Sequence, residues 1–161
     1  MPVQKKELQL TPVFESQVPF YTSSMHTLVI HCSQHNYQEP IDDFMRTHLR
    51  RESYDRLAVP GGPQFFLSSG YMPKFEWAGK KWTEFLVTNH HITELILIGH
   101  DACAWNSAVA NQKDPSQLQR YTCQSLLTMR DLALRVPSPF VVRTFFAQPN
   151  AHNHVEFLSV Q

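Results

Sequence analysis

The sequence lacks the features that mark several common classes of protein. Its 14 basic and 14 acidic residues leave no net charge, and no concentrated run of basic residues is present to bind nucleic acid or an acidic membrane. No run reaches the roughly 18 apolar residues of a membrane helix, and the opening residues MPVQKKELQLTPVF contain no signal-peptide core. Three cysteines are too few, and odd in number, for a secreted disulfide scaffold. We therefore expect a cytoplasmic protein that binds neither nucleic acid nor membranes.

The composition that remains is that of one globular domain. Hydrophobic residues make up 42% and charged residues 17% of the 161 residues, which is typical of a chain that buries a core. Residues 1–24 are mixed and polar, and Pro12 and Pro19 interrupt any long period there, so an N-terminal arm is predicted. Residues 25–161 contain no linker or repeat and predict a single domain.

Short apolar runs alternate with helical periods along the chain. Strands are predicted at residues 27–30, 56–59, 94–98 and 140–146, with an edge strand at 154–160. Helices are predicted at residues 40–51, 73–90 and 115–134, each opened by a proline. Strands that alternate with helices of this length predict an α/β fold, a small and mostly parallel sheet flanked by helices.

The clearest helical period lies in residues 73–90. Its apolar residues recur at the spacing of one helix face: Phe75, Ala78, Trp82, Phe85 and Leu86. We expect the three tryptophans, Trp77, Trp82 and Trp105, either in the core or in a dimer interface. Trp105 is also close enough to Cys103 to form a wall of a pocket there.

Two of the apolar strands end at residues that can ligate a metal. Cys32 follows the first strand, and His100 and Cys103 follow a later one. Ligands of open parallel sheets bind beyond the carboxyl ends of the strands, so these side chains meet if the two strands are neighbours. Two thiolates and one imidazole suit zinc and leave a fourth position open. The alternative is that the cysteines are small buried hydrophobic residues, and a His-x-x-Cys pair alone is a weak signal.

The blocks LVIHCS (28–33), DRLAV (55–59) and LILIGHDAC (95–103) resemble the β-class carbonic anhydrases over roughly residues 25–146. The resemblance implies zinc bound by Cys32, His100 and Cys103, with a parallel sheet as the core. It also implies a homodimer or higher homo-oligomer with active sites near the interface, and interconversion of carbon dioxide and bicarbonate.

The chain departs from the family pattern beside the zinc ligands. The family reads Cys-x-Asp-x-Arg after the first ligand, where this chain has Gln34 and Asn36. In the family the aspartate accepts a hydrogen bond from zinc-bound water or closes the zinc site, and the arginine holds it in place. Gln34 can accept a hydrogen bond but not a proton, so the fourth zinc position is predicted to stay open. Residues 60–63 (PGGP) stand where the family usually has an Arg-Asn or similar polar pair. Ala104 stands where the family usually has a glycine.

Two residues near the predicted ligands, His35 and Asp101, each have two possible roles. Histidine side chains commonly transfer protons, so His35 is a candidate proton shuttle, although it could equally face solvent or a partner subunit. Asp101 could orient His100 or be a solvated turn residue.

The sequence therefore supports two hypotheses of function. One is a zinc lyase of the carbonic anhydrase type that hydrates carbon dioxide or a related small electrophile, with Gln34 orienting the zinc-bound water. The other is a catalytically inactive, zinc-containing homologue that binds a small anion or a protein. Whether the protein is an enzyme stays open at this point, because the Asp/Arg pair is missing.

Overall fold

Five strands form a single sheet. The computed structural model of the chain describes residues 12–18, 20, 26–68, 70–135 and 141–161. The strands are β1 (Thr27–Cys32), β2 (Asp55–Val59), β3 (Glu94–His100), β4 (Val141–Pro149) and β5 (Val155–Ser159). Their order is β2-β1-β3-β4-β5; the first four are parallel and β5 runs antiparallel to β4. The predicted mostly parallel sheet is confirmed.

Helices cover the sheet, and their bounds correct the prediction in two places. They are α1 (Gln38–Asp43), α2 (Pro73–Asn89), α3 (Ala104–Val109) and α4 (Pro115–Ala133). A π-helical segment, Phe44–His48, continues α1, and 3₁₀ segments lie at His35–Tyr37 and Gly62–Leu67. The helix predicted at 40–51 begins and ends earlier, because Pro40 lies within the first turn, where N–H groups need no helical partner. The six-residue α3 was not predicted, since it is too short to show a period.

The two central strands are buried on both faces. Every residue of β1 and β3 is buried, which explains why these strands are continuous apolar runs rather than alternating ones. On one face Leu28 and Ile30 pack in a cluster with Leu126 of α4. On the other, Val29 and Ile96 pack in a cluster with residues of the helical segment that follows β1. The core therefore forms two layers that hold the sheet between helices.

Helix α2 forms as predicted, but its apolar face is not buried. Of the helix residues 73–89, all of which the structure describes, only Gly79 is fully buried, where it packs on Phe65 and Phe66. Trp77 and Trp82 are largely exposed, so their expected place in the core is wrong. Their expected place in a subunit interface stays a prediction. A helical period shows which residues share a face, but it cannot show what covers that face.

The arm predicted at residues 1–24 falls mostly outside the described residues. The described part of it, residues 12–18 and 20, is exposed. Phe140, the predicted first residue of the last long strand, also lies outside them, and β4 is described from Val141. Among the helices that the structure describes, none is long and apolar enough to cross a membrane.

Glu94 joins three parts of the fold at the amino end of β3. It accepts hydrogen bonds from Arg51 Nε (2.7 Å) and from Thr27 Oγ1 (2.9 Å), and Arg143 Nε lies 3.3 Å from its other oxygen. Burial acts to raise the pKa of this carboxyl, but the hydrogen bonds and the two guanidinium charges outweigh it, so the pKa is lowered. The ionised form therefore stabilises the fold.

We expect Glu94→Gln to lower the free energy of unfolding by about 1 kcal/mol at neutral pH, since both arginines are partly exposed. Because the folded pKa is lowered, the contribution is complete above the unfolded pKa and is lost as pH falls through the folded value. When the pH is lowered from 7 to 3, the free energy of unfolding measured in urea should therefore fall less for the variant than for the unmodified protein. Glu84→Gln, which removes an exposed pair with Lys81, is the control; an equal effect there would contradict the prediction.

Candidate metal centre

The topology brings the three predicted ligands to one edge of the sheet. Strands β1 and β3 are parallel neighbours, with His31 opposite Ile98. Each strand ends on a ligand, since Cys32 is the last residue of β1 and His100 is the last of β3. Cys103 follows a short turn and begins α3 as its N-cap. The two strands are neighbours, which was the condition for these side chains to meet, and the three residues lie in one group.

The three side chains form a compact buried group. Their possible ligand atoms all lie within 4.8 Å of one another, and the two sulfur atoms are 4.0 Å apart. Cys32, His100 and Cys103 are 6, 3 and 1% exposed. This Cys/His/Cys group could hold a metal ion, and its burial limits any further ligand to a small molecule.

The orientation of His100 leaves one ring nitrogen free to ligate. Its Nδ1 lies 2.6 Å from the backbone carbonyl oxygen of Asp101 and donates to it. Its Nε2 is buried and has no hydrogen-bond partner among the described residues. Most buried nitrogen atoms are paired, and this one lies in one group with the two thiols, where it can bind a metal ion. The Asp101 carbonyl, rather than its carboxylate, is therefore what orients the histidine.

The turn between His100 and Cys103 is held in a specific shape. Ala102 has a φ of 50°, in the left-handed region that non-glycine residues seldom adopt. The Asp101 N–H donates to the carbonyl oxygen of Ala147 on β4 at 2.9 Å. The turn is thus tied to the neighbouring strand, which fixes Cys103 relative to His100.

The two thiols share a proton. The pKa of Cys32 is lowered to about 4 by the hydrogen bond from Cys103, and further by His100 and the backbone N–H of Gln34, which together outweigh burial. The same contact and burial raise the pKa of Cys103, although the N–H groups of Asn106 and Trp105 act in the opposite direction. The pair therefore loses its first proton more easily than an ordinary thiol does, and a metal ion held by both sulfurs would displace the second.

The glycine pair at residues 61–62 packs directly against the site. Gly62 has a φ of +55°, and a Cβ built there would lie 2.7 Å from the backbone of His31 and Cys32. Gly61 has a φ of +79°, and its Cβ would overlap the ring of Trp105. Only glycine satisfies both demands at once. The loop thus contributes backbone alone, as its sequence predicts.

Trp105 packs on the glycine loop, and its expected role as a wall of a pocket at Cys103 stays a prediction. Its ring centroid lies 6.0 Å from that of Phe65 and 6.0 Å from that of Tyr71. The indole Nε1 is buried without a partner among the described residues. The position of Trp105 is therefore set by aromatic packing on the glycine loop rather than by a hydrogen bond.

Two buried side-chain amides join the loop after β2 and helix α3 to helix α4. Gln64 Nε2 donates to the carbonyl oxygen of Thr122 (3.0 Å), and Asn106 Nδ2 donates to Thr122 Oγ1 (3.0 Å). Each of the three residues is at most 2% exposed. Thr122 of α4 thus anchors both the loop that contacts Cys32 and the helix that carries Cys103. No pattern in the sequence marks this network, because polar residues of these types are normally exposed.

Tyr37 is a second feature that sequence reasoning missed. Its ring centroid lies 4.3 Å from that of His100, and the residue also lines a groove of about 870 Å³. Burial, with the charges of Asp101 and the two thiols, raises the pKa of Tyr37 to about 12, so the phenol stays neutral. Its position five residues after Cys32, an aromatic residue in a polar stretch, is the signal that could have marked it.

Gln34, His35 and Asn36 all lie beside the site, but their side chains have no described contact with it. The Gln34 carbonyl accepts a hydrogen bond from Gln38 Nε2 at 3.1 Å, and its N–H points to Cys32. His35 and Asn36 are exposed at the start of a 3₁₀ segment. The catalytic roles predicted for Gln34 and His35 stay predictions.

Comparison with known proteins now gives the class of protein that this fold and site belong to. A family model described as "Putative carbonic anhydrase" matches residues 22–145, more than half of the chain. The chain therefore belongs to this carbonic anhydrase family, and the resemblance drawn from its sequence is confirmed. Comparison with curated proteins finds no match.

Solved β-carbonic anhydrases share the fold. The β-carbonic anhydrase CafA of Aspergillus fumigatus superposes with a TM-score of 0.52 at 13% identity, covering 86% of this chain and 77% of its own. The tetrameric β-carbonic anhydrases of Sordaria macrospora give a TM-score of 0.50 at 12% identity, with 84% of this chain and 81% of that chain covered. At such identities the likeness shows the fold alone.

Proposed function

We propose that this chain binds one zinc ion through Cys32, His100 and Cys103. The observation that carries the proposal is the buried His100 Nε2, which lacks a partner among the described residues and lies with two thiols in one group. Tetrahedral zinc with bonds of 2.3 Å to sulfur places two sulfurs about 3.8 Å apart, close to the 4.0 Å between Cys32 and Cys103. The donor set and its spacing fit zinc.

We further propose that the site interconverts carbon dioxide and bicarbonate, at a rate limited by the missing acid–base pair. Bound zinc supplies Lewis-acid activation of water near neutral pH. The net reaction, CO₂ + H₂O ⇌ HCO₃⁻ + H⁺, suits a site whose burial admits only small molecules. Membership in the carbonic anhydrase family supports this substrate class.

The chain's own residues have separable roles in this proposal. The Asp101 carbonyl fixes the Nδ1 proton of His100 and so directs Nε2 at the metal. Gln34 donates or accepts a hydrogen bond at the reacting group without accepting its proton. The proton released by hydration must leave a buried site, and His35, exposed three residues after Cys32, carries it to solvent.

A stopped-flow assay of carbon dioxide hydration on protein with verified zinc content tests this function. We expect measurable but slow hydration, because proton transfer by a positioned side chain commonly contributes about 10²–10⁴-fold. Gln34→Asp combined with Asn36→Arg restores the family pair and should raise the rate at least about tenfold. His35→Ala should lower the rate in a way that imidazole buffer restores. A fast unmodified protein would contradict the proposed effect of the missing pair.

The absence of the Asp/Arg pair favours one alternative, a zinc-containing homologue that binds a small anion or a protein without turnover. No hydration by fully zinc-loaded protein, with no gain in the double variant, would support it. Binding of bicarbonate measured by calorimetry would then separate an anion-binding module from a protein-binding one.

We also propose that the chain forms a homo-oligomer. Its fold is shared with β-carbonic anhydrases described as tetrameric, which supports self-association, and its zero net charge opposes association little. Sedimentation velocity at micromolar concentration tests this.

A further inference from the structure

The outer surface of α2 carries a feature that the metal centre does not use. Five aromatic side chains on this helix and just before it are between 46 and 65% exposed. They are Tyr71, Phe75, Trp77, Trp82 and Phe85, and together we call them the α2 aromatic face. Isolated exposed apolar residues are common on protein surfaces, but five large aromatic side chains exposed on and beside one helix mark a contact site.

The face is firmly attached to the domain. The ring centroids of Phe75 and Trp82 lie 5.9 and 6.4 Å from that of the buried Phe65. At 100° per residue, Phe75 and Trp82 lie on nearly the same side of the helix. Phe85 and then Trp77 lie progressively further round it. A pocket of about 450 Å³ opens beside Trp77, where its lining includes Lys74 and Ala78. Rigid aromatic anchors next to a receiving pocket are the arrangement found at energetically important parts of protein interfaces.

The exposed area matches what a stable dimer needs. With 150–250 Å² for each aromatic residue and about half of it exposed, the face presents about 550 Å². A standard interface buries about 800 Å² on each partner, and about 56–65% of that area is apolar. The aromatic rings therefore supply the apolar centre of one such interface, and the polar residues of α2 supply its rim.

The charges on α2 favour a protein partner over an acidic membrane. Lys80 is paired with Glu76 and Lys81 with Glu84, within the helix. These pairs leave Lys74 as the helix's one charge without an ion-pair partner among the described residues. Helices that lie on membranes normally carry a row of uncompensated Lys or Arg opposite their apolar face. A nearly neutral helix in a chain of zero net charge packs against an identical helix without strong repulsion.

We propose that a second copy of this chain covers the α2 aromatic face, with the two faces packed on each other across a two-fold axis. A surface that meets itself in this way generates a closed dimer. The inference rests on the self-association proposed above and assigns the surface responsible for it.

Sedimentation equilibrium of the full zinc-verified chain, from about 1 to 200 µM, tests the assignment. The variant Trp77→Glu with Phe85→Glu places two carboxylates on the face, at its two most exposed side chains. We expect the dimer dissociation constant to rise at least about 100-fold, as for the loss of two aromatic anchors. Thermal unfolding and zinc content should stay unchanged, because neither side chain is part of the core or the metal site.

Leu132→Glu with Leu158→Glu is the matched control, since it places two carboxylates at exposed leucines of α4 and β5. An oligomer that persists in the α2 variant, or that dissociates only in the control, overturns the inference but leaves self-association standing. A monomeric unmodified chain overturns both, and zinc analysis of the same sample shows separately whether the metal proposal holds. Binding of monomers to phosphatidylcholine/phosphatidylserine vesicles also overturns the inference about the α2 aromatic face.

If the α2 variant fails to fold, hydroxyl-radical footprinting of the unmodified protein replaces it. Protection of Trp77 must then rise with protein concentration, and constant labelling overturns the inference.

Discussion

Cys32→Ser is expected to remove stoichiometric zinc from this protein. Serine replaces a thiolate whose pKa is lowered to about 4 with a hydroxyl that stays protonated at neutral pH, and zinc binds deprotonated ligands. Only His100 and Cys103 would then remain. Because loss of an outer-shell partner alone typically costs 10–100-fold in metal affinity, we expect a larger loss here. Metal analysis after dialysis against a weak chelator should give about one zinc per chain for the unmodified protein and far less for the variant.

Cys123→Ser is the control for this measurement. Cys123 is a half-buried thiol within α4 and is not part of the Cys/His/Cys group, so its variant should keep its zinc. Retention of one zinc per chain by the Cys32 variant would show that the metal site is not the one proposed. Cys103→Ser should behave as Cys32→Ser does.

Gly62→Ala is expected to lower the free energy of unfolding by about 3 kcal/mol. The new Cβ would lie 2.7 Å from backbone atoms of His31 and Cys32, at a φ of +55°. The left-handed conformation costs an alanine roughly 1–2 kcal/mol, and overlap with backbone, which cannot rotate away, adds about 1–3 kcal/mol. Urea unfolding with a chelator present measures this decrease in the free energy of unfolding without a contribution from bound metal.

Gly70→Ala is the matched control for Gly62, since a Cβ at Gly70 would meet nothing within 4 Å. We expect the Gly70 variant to be as stable as the unmodified protein or slightly more stable, because alanine reduces the freedom of the unfolded chain. Equal stability of the two variants would show that the loop does not press on the end of β1. If the Gly62 variant folds, weaker zinc binding is also expected, since the displaced atoms belong to a ligand residue.

The core of the sheet could be predicted because burial on both faces leaves a direct trace in the sequence. The runs that became β1 and β3 are apolar at nearly every position, and each strand ends at a residue of the group that could hold a metal. Helix α4 was also placed correctly, with Asp114 as its N-cap, because its apolar period and opening proline agree. Local pattern and tertiary environment coincide in these elements.

The surroundings of the site were harder to predict, since their positions depend on contacts between distant residues. Thr122 and Gln64 are 58 residues apart and carry no apolar pattern, yet they meet in the core. The packing of Tyr37 against His100 likewise depends on how the segment after β1 folds back over the strand ends. No periodicity encodes such meetings.

Sequence patterns were sufficient to place most strands and helices along the chain, to mark the residues able to ligate a metal, and to indicate the family to which the chain belongs. Three features were visible only in the folded chain: Cys32, His100 and Cys103 lie within 4.8 Å of one another, the Asp101 carbonyl orients the histidine, and the apolar face of α2 is open. Hydrophobic periodicity shows which residues of a segment share an apolar face. Which neighbour covers each face is set by packing across the whole chain.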